Sequence, residues 1–199
     1  MKQIVLASSS PRRSDLLRQI GMAFEVVPPD VDESRFSFDD DPPGTVERLA
    51  LEKARSAARR VDAHGRVVLG ADTVVLFEDQ VLGKPVDAND AFSMLGRLTG
   101  RTHRVLTGFA LLEPETRRSM TAHEWTTVYM RDCTDQEIRA YVDTGEPLDK
   151  AGSYGANALG AGLITRVEGC FYNVIGLPLA RLLIAFETFD GAAAGRRTD

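Results

Sequence analysis

Two hydrophobic periods alternate along the chain. Gln3 to Ala7 is a short apolar run that reads as a strand and passes into Ser8-Ser9-Ser10-Pro11. Ser10 before Pro11 has the form of an N-cap and first-turn pair, and Leu16, Leu17 and Ile20 predict a helix over Arg12 to Ile20 that Gly21 stops. Phe24 to Pro28 predicts an extended segment, and the acidic, turn-rich Pro29 to Gly44 a loop with Asp39-Asp40-Asp41 as a solvated tip. Val46, Leu49, Ala50, Ala54, Ala57 and Val61 predict a helix over Thr45 to Val61. Arg66 to Phe77 is rich in strand formers but interrupted at Gly70-Ala71-Asp72.

Further on, Ala88, Ala91, Phe92 and Leu95 repeat on one face of Asp87 to Leu98, which opens with Asp at a cap position and closes at Gly100. Thr102 to Leu112 and Ser119 to Arg131 predict long strands joined in a hairpin around Glu113-Pro114. Thr134 and Glu137 form a capping-box pattern before a helix through Ile138, Tyr141 and Val142 that ends at Gly145. A Gly-rich stretch from Gly152 to Gly162, a strand and a final helix from Pro178 to Phe189 follow. The pattern predicts one α/β domain over residues 1–190, with 191–199 as a flexible tail.

Charge and composition narrow the function. With 24 Lys and Arg against 29 Asp and Glu, the net charge is −5, and no basic tract offsets it, so long polyanions such as nucleic acid are disfavoured as partners. The apolar run at the N-terminus is too short for a signal peptide, and no run approaches the ~18 apolar residues of a membrane span. Cys133 and Cys170 stand far apart, without a C-x-x-C pair or clustered histidines, which suggests neither a disulfide scaffold nor a zinc site and fits a reduced cytosol. His64, His103 and His123 are scattered and receive no role.

Several residues point to anion chemistry. Ser8-Ser9-Ser10-Pro11-Arg12-Arg13 is a strand-to-helix turn that either caps a helix with solvated arginines or holds a phosphate on free N–H groups, hydroxyls and guanidinium groups. Lys53 falls on the apolar face of its helix, so it either snorkels to water or meets a buried anion. Asp72 lies inside an otherwise apolar strand pattern, as a turn residue facing water or as a buried carboxylate that needs a partner. Gly83-Lys84-Pro85 places a second lysine on a turn without the spacing of a Walker A loop. Asp30, Asp32 and Glu33 are a solvated charge run or part of a metal site. Together, Arg12, Arg13, Lys53 and Lys84 with Glu33 and Asp72 suit phosphoryl chemistry around a hard divalent cation.

The segments Leu6-Ala7-Ser8-Ser9-Ser10-Pro11-Arg12-Arg13, Val31-Asp32-Glu33, Glu52-Lys53-Ala54, Gly70-Ala71-Asp72-Thr73, Gly83-Lys84-Pro85, Leu148 to Gly155 and Val174 to Leu179 resemble, in order and over residues 3–186, the Maf family of nucleoside triphosphate pyrophosphatases. The resemblance implies an elongated α/β fold with two lobes around a mixed central sheet and a cleft between them, similar to the inosine-triphosphate pyrophosphatases. It implies a hydrolase dependent on Mg²⁺ or Mn²⁺ that cleaves a nucleoside triphosphate to the monophosphate and diphosphate, in the cytoplasm, and often as a homodimer. Carried over by motif, Asp72 is the general base, Glu33 and Asp72 are metal-associated, and Ser8, Arg13, Lys53 and Lys84 hold the triphosphate. Arg12 and Thr73 resemble the subgroup that takes dTTP and UTP rather than 7-methyl-GTP. Asn157 departs from that subgroup's Gln by one methylene but keeps its carboxamide. The alternatives are the same hydrolysis with another base preference and a nucleotide-sensing regulator without turnover.

Overall fold

In the computed structural model, which describes residues 3–62 and 64–194, the chain divides into two compact units. The first comprises the residues up to Asp72, Thr107–Glu124 and those from Gly176 onward, and the second comprises Thr73–Leu106 and Trp125–Ile175. Strand β1 (Ile4–Ala7) leads into helix α1 (Pro11–Gln19), followed by β2 (Phe24–Val26), α2 (Pro42–Ala58), β3 (Val67–Phe77) and β4 (Gln80–Leu82). Then come α3 (Ala88–Leu98), β5 (Thr102–Glu113), β6 (Arg118–Met130), α4 (Asp135–Val142), β7 (Ile164–Gly169), α5 (Phe171–Ile175) and α6 (Leu179–Ala194). The strands are hydrogen-bonded in the order β2-β1-β3-β5-β6-β7, with β4 on β3. β1 is parallel to both β2 and β3, whereas β4 on β3 and β7 on β6 are antiparallel, so the sheet is mixed and the α/β class expected from the sequence holds.

Within the first unit, the four residues of β1 are all buried between β2 and β3, as a strand covered on both faces must be. Helix α2 packs its small residues on this part of the sheet: Ala50, Ala54 and Ala57 are fully buried beside Val46 and Leu49. A methyl group on Gly70 would lie 2.0 Å from the Ala50 carbonyl oxygen and 2.9 Å from the Ala54 nitrogen. One on Gly108 would lie 2.7 Å from Val46. Glycine is therefore required on β3 and β5 where the helix backbone comes closest, and β3 runs unbroken through Gly70-Ala71-Asp72 instead of turning there. Glycine's low strand propensity is outweighed by this close approach.

Other boundaries also differ from the sequence expectation. Helix α2 starts at Pro42 rather than Thr45, because Pro occupies its first position and the Asp41 carboxylate caps it by accepting the Gly44 N–H at 2.9 Å. Asp41 is thus a cap and not a loop tip. A 3₁₀ turn over Glu33–Arg35 interrupts the acidic loop, held by Asp32 accepting from the Ser34 N–H and hydroxyl. Thr134 and Glu137 form the full capping box of α4, whereas the Asp90 carboxylate in α3 reaches back to the Val86 N–H instead of to its cap residue. The short β4 and α5 have no counterpart in the periodicity. Helix α6 continues to Ala194, beyond the Phe189 limit, and 195–199 of the expected tail lie outside the described residues.

The second unit packs Val75, Phe77, Leu95, Leu98, Val105 and Val128 against Ile138 and Tyr141 of α4. Tyr154 belongs to the same core, with its hydroxyl 2.6 Å from Nε2 of the buried His103 and the rings edge to face. His103 Nδ1 has no hydrogen-bond partner among the described residues, and burial lowers the imidazole's pKa from 6.5 to about 4.

Two outcomes follow from this packing. Gly70→Ala should lower the free energy of unfolding by about 1–3 kcal/mol, read as a lower denaturant midpoint at unchanged slope. The unfolded chain protonates His103 below about pH 6.5 and the folded chain only below about pH 4, so this residue's contribution to stability is complete above that window and lost as pH falls through it. Between those limits the loss is on the order of 3 kcal/mol, and a His103→Gln variant should show a correspondingly flatter pH dependence of unfolding than the parent.

Candidate active site

The close seating of α2 on Gly70 also brings two opposite charges together. Residues two apart on a strand share a face, so Asp72 projects on the same side of β3 as Gly70, towards α2. Lys53 stands three residues beyond Ala50 on the apposed helix, one turn along the same face. Its ammonium donates to Asp72 Oδ1 at 2.7 Å and pairs with Glu33 Oε1 at 2.8 Å. Lys53 and Asp72 are 6% and 7% exposed, so the buried-anion reading of Lys53 and the buried-carboxylate reading of Asp72 both hold. Glu33, on its exposed 3₁₀ turn, brings the second carboxylate to the same nitrogen, and two of the three ammonium donors are used.

The strand-to-helix turn lies beside this pair. Ala7, the last residue of β1, is in register with Gly70, so Ser8 leaves β1 alongside the stretch of β3 that leads to Asp72. Buried Ser8 accepts the Ser10 N–H at 3.1 Å and Arg13 Nη1 at 3.2 Å. Ser10 occupies the cap position of α1 without making a side-chain cap bond, so the first-turn N–H groups receive no hydroxyl from it. Burial lowers the Arg13 pKa, attraction to Asp72 and Glu33 opposes that shift, and Arg12 adds repulsion. Arg12, Arg13, Glu33 and Asp72 are thus within electrostatic reach of one another. Arg13 Nε also donates to the Gly176 carbonyl at 3.1 Å, which fixes the guanidinium from a second side. The sequence offered Gly176 only as part of a motif; its part in holding Arg13 depends on a backbone carbonyl at φ 130° that no side-chain pattern reveals.

Thr73, Lys84 and Asn157 belong to the second unit. Thr73 follows Asp72 on β3 and is half-buried. Lys84 is exposed on the turn after β4, and the carbonyl of its neighbour Gly83 accepts the Gly152 N–H at 3.0 Å. This bond ties the lysine turn to the start of the Gly-rich stretch, where Asn157 is exposed. Asp30 and Asp32 serve the local backbone: the Asp30 peptide exchanges hydrogen bonds with Ser56, and Asp32 caps the 3₁₀ turn.

The first unit therefore offers three cations, Arg12, Arg13 and Lys53, with a serine hydroxyl and two carboxylates. Among the described residues, no group of three or more His, Cys, Asp or Glu side chains could hold a metal. Glu33 and Asp72, converging on one ammonium, suit a hard cation such as Mg²⁺ or Mn²⁺ that takes one or two carboxylates and completes its shell with water and phosphate oxygens. A soft or closed structural site is not what these donors build. Among the described residues, no helix is long and apolar enough to cross a membrane.

Comparison with known proteins places the chain. A dTTP/UTP pyrophosphatase of Symbiobacterium thermophilum is 51% identical over 97% of this chain and 100% of its own length. Proteins of the same name from Acetivibrio thermocellus and Ruminiclostridium cellulolyticum are 50% and 44% identical, over 95% and 92% of this chain and 96% and 93% of theirs. A solved nucleoside-triphosphatase / dITP/XTP pyrophosphatase from Mycobacterium abscessus covers 64% of this chain and 72% of its own at 18% identity and a TM-score of 0.35, a likeness too slight to define the fold. The family model described as Maf-like protein matches residues 3–189, and with nearly the whole chain matched in this way and by these relatives, the chain belongs to the Maf family.

Proposed function

We propose that this protein is a nucleoside triphosphate pyrophosphatase that hydrolyses dTTP and UTP to the monophosphate and diphosphate. The observation that carries the reading is the buried Lys53 ammonium shared by Asp72 and Glu33 beside the Ser8–Arg13 turn. A pure binder of phosphate has little reason to bury a carboxylate there, whereas hydrolysis needs a group that takes a proton. The relatives named dTTP/UTP pyrophosphatase, at 44–51% identity, support the reaction and the base preference.

In this reading Ser8, Arg12, Arg13 and the first turn of α1 hold phosphate oxygens, and Lys84 adds a further cation. Asp72 accepts the proton of the attacking water as the oxygen bonds to phosphorus, and the α–β anhydride bond breaks with diphosphate as leaving group. Lys53 orients Asp72 through its 2.7 Å hydrogen bond until that transfer. A divalent cation on Glu33 and Asp72 supplies charge neutralisation for the phosphates when bound. The family resemblance assigns Asn157, with a carboxamide that both donates and accepts, to the pyrimidine edge, and Arg12 and Thr73 to base preference. The enzyme would act in the cytoplasm on free nucleotides rather than nucleic acid, in keeping with its −5 charge, and the family resemblance favours a homodimer.

A panel of dTTP, UTP, CTP, 7-methyl-GTP and inosine triphosphate, assayed for diphosphate release with Mg²⁺ and with Mn²⁺, should give the highest kcat/KM for dTTP and UTP. Stoichiometric binding without turnover would identify a sensor instead. Asp72→Asn should lower kcat by about 10²–10⁴-fold with KM changed far less, and an unchanged kcat removes Asp72 as the base. Lys53→Met leaves two carboxylates without their counter-charge and should cost about 3–5 kcal/mol in unfolding free energy. Combining it with Asp72→Leu should restore most of that stability but no activity, a non-additive pair in a double-mutant cycle.

A further inference from the structure

One carboxylate in the second unit has no part in the reaction above, yet it gathers three donors. Glu146 opens a 3₁₀ turn, Glu146–Asp149, behind Gly145 at φ 76°. Its Oε1 accepts the Tyr141 hydroxyl at 2.9 Å and the Gly160 N–H at 3.1 Å, and its Oε2 accepts the Leu159 N–H at 2.9 Å. The Tyr141 hydroxyl in turn accepts the Gly155 N–H at 3.1 Å. Two side chains thus hold three backbone N–H groups, one before Asn157 and two after it.

This part of the chain belongs to no sheet ladder. It runs from Tyr154, anchored by His103, into the 3₁₀ turn Leu159–Leu163. Its glycines are fitted to the clamp: a methyl group on Gly160 would stand 2.5 Å from the Tyr141 hydroxyl, and one on Gly155 would stand 3.1 Å from Glu146 Oε1 and 2.8 Å from the Lys150 side chain. Lys150 closes the base of the turn, donating to the Glu146 carbonyl at 2.5 Å and to Asp149 at 2.7 Å. An ionised carboxylate only accepts, so it can take donors on both oxygens; an amide in its place would turn an NH₂ group towards one of them.

We propose that Glu146, with Tyr141, is a positioning residue for nucleotide recognition: it fixes the 155–160 backbone so that exposed Asn157 is presented to the base. The inference rests on the reading of Asn157 as the base contact, and it adds to that reading the device that sets the contact's geometry.

The test is a double-mutant cycle between Glu146→Gln and Asn157→Ala, read by steady-state kinetics on dTTP and by hydrogen exchange of 155–160. Glu146→Gln should raise KM for dTTP about tenfold with kcat within about twofold, and should speed amide exchange at 155–160 while α3 and β6 stay protected. The double variant should have a KM no higher than the worse single variant, because the two changes remove one function. Tyr141→Phe should give the same signature, and it carries the test if Glu146→Gln does not fold. If Asn157→Ala leaves KM unchanged, the base-contact reading fails and the inference falls with it. If Asn157→Ala raises KM and Glu146→Gln does not, or if the two effects multiply in full, only the inference is overturned. A raised KM in Glu146→Gln without faster exchange at 155–160 also overturns it.

Discussion

The contact between the backbone of α2 and Gly70 is the constraint on which the first unit depends. A helix usually packs on a sheet through interlocking side chains, with its backbone held away from the strands. Here the face made of Ala50, Ala54 and Ala57 meets a strand position with no side chain, and the Ala50 carbonyl occupies the space where a Cβ would be. At that separation a lysine one turn along reaches a carboxylate two residues along the strand. The ion pair is therefore a product of packing: the alanines and the glycine set the distance, and the charges use it.

Burying Lys53 and Asp72 removes both from water, a cost that their attraction offsets only when the geometry is good and other partners contribute. Glu33 supplies one such partner to the ammonium, and the charges of Asp72 and Glu33 oppose in part the effect of burial on Arg13. The result is a cluster of alternating sign on rigid elements, which is suited to a polyanion accompanied by a divalent cation. It also reconciles an acidic protein with an anionic substrate. The excess of carboxylates weakens attraction to long polyanions, while three cations and two acids gathered on α1, α2, β3 and the 3₁₀ turn of Glu33 dominate the field over a few ångströms.

Much of this was legible in the sequence because the informative residues violate their local pattern. A lysine on an apolar helix face and an aspartate in an apolar strand are each costly alone, and each predicts a partner without saying which. Their pairing became visible only with the register of α2 on β3, which depends on long-range packing. The same packing explains the misjudged break at Gly70-Ala71-Asp72: by propensity alone glycine and aspartate suggest a turn, but one makes room for the helix and the other meets its lysine. Local signals did better where the physics is local, as in the capping box of Thr134 and Glu137. The Asp41-Pro42 start was equally local, yet the acidic run around it concealed the cap. Arg13's tie to the Gly176 carbonyl joins residues 163 positions apart through a backbone atom, and no reading of residue types could supply it.

The residues that the proposed reading assigns to phosphate and to base are held by different means, and the difference follows from backbone hydrogen bonding. Lys53 and Asp72 stand inside a helix and a strand whose own ladders satisfy their peptide groups, so the backbone beneath that ion pair needs no side-chain support. Asn157 stands on irregular chain, where peptide N–H groups find no ladder and must be met by side chains. A single acidic residue that satisfies Leu159 and Gly160 while orienting Tyr141 onto Gly155 answers that need compactly. If Asn157 meets the base as proposed, variation at position 157 alters the group offered without disturbing the frame, because the bonds that fix the loop are made by its neighbours' backbone. On the proposed reading, the residues assigned to the phosphates and the one assigned to the base are in this way held separately, although Asp72 and Thr73 are consecutive residues of one strand.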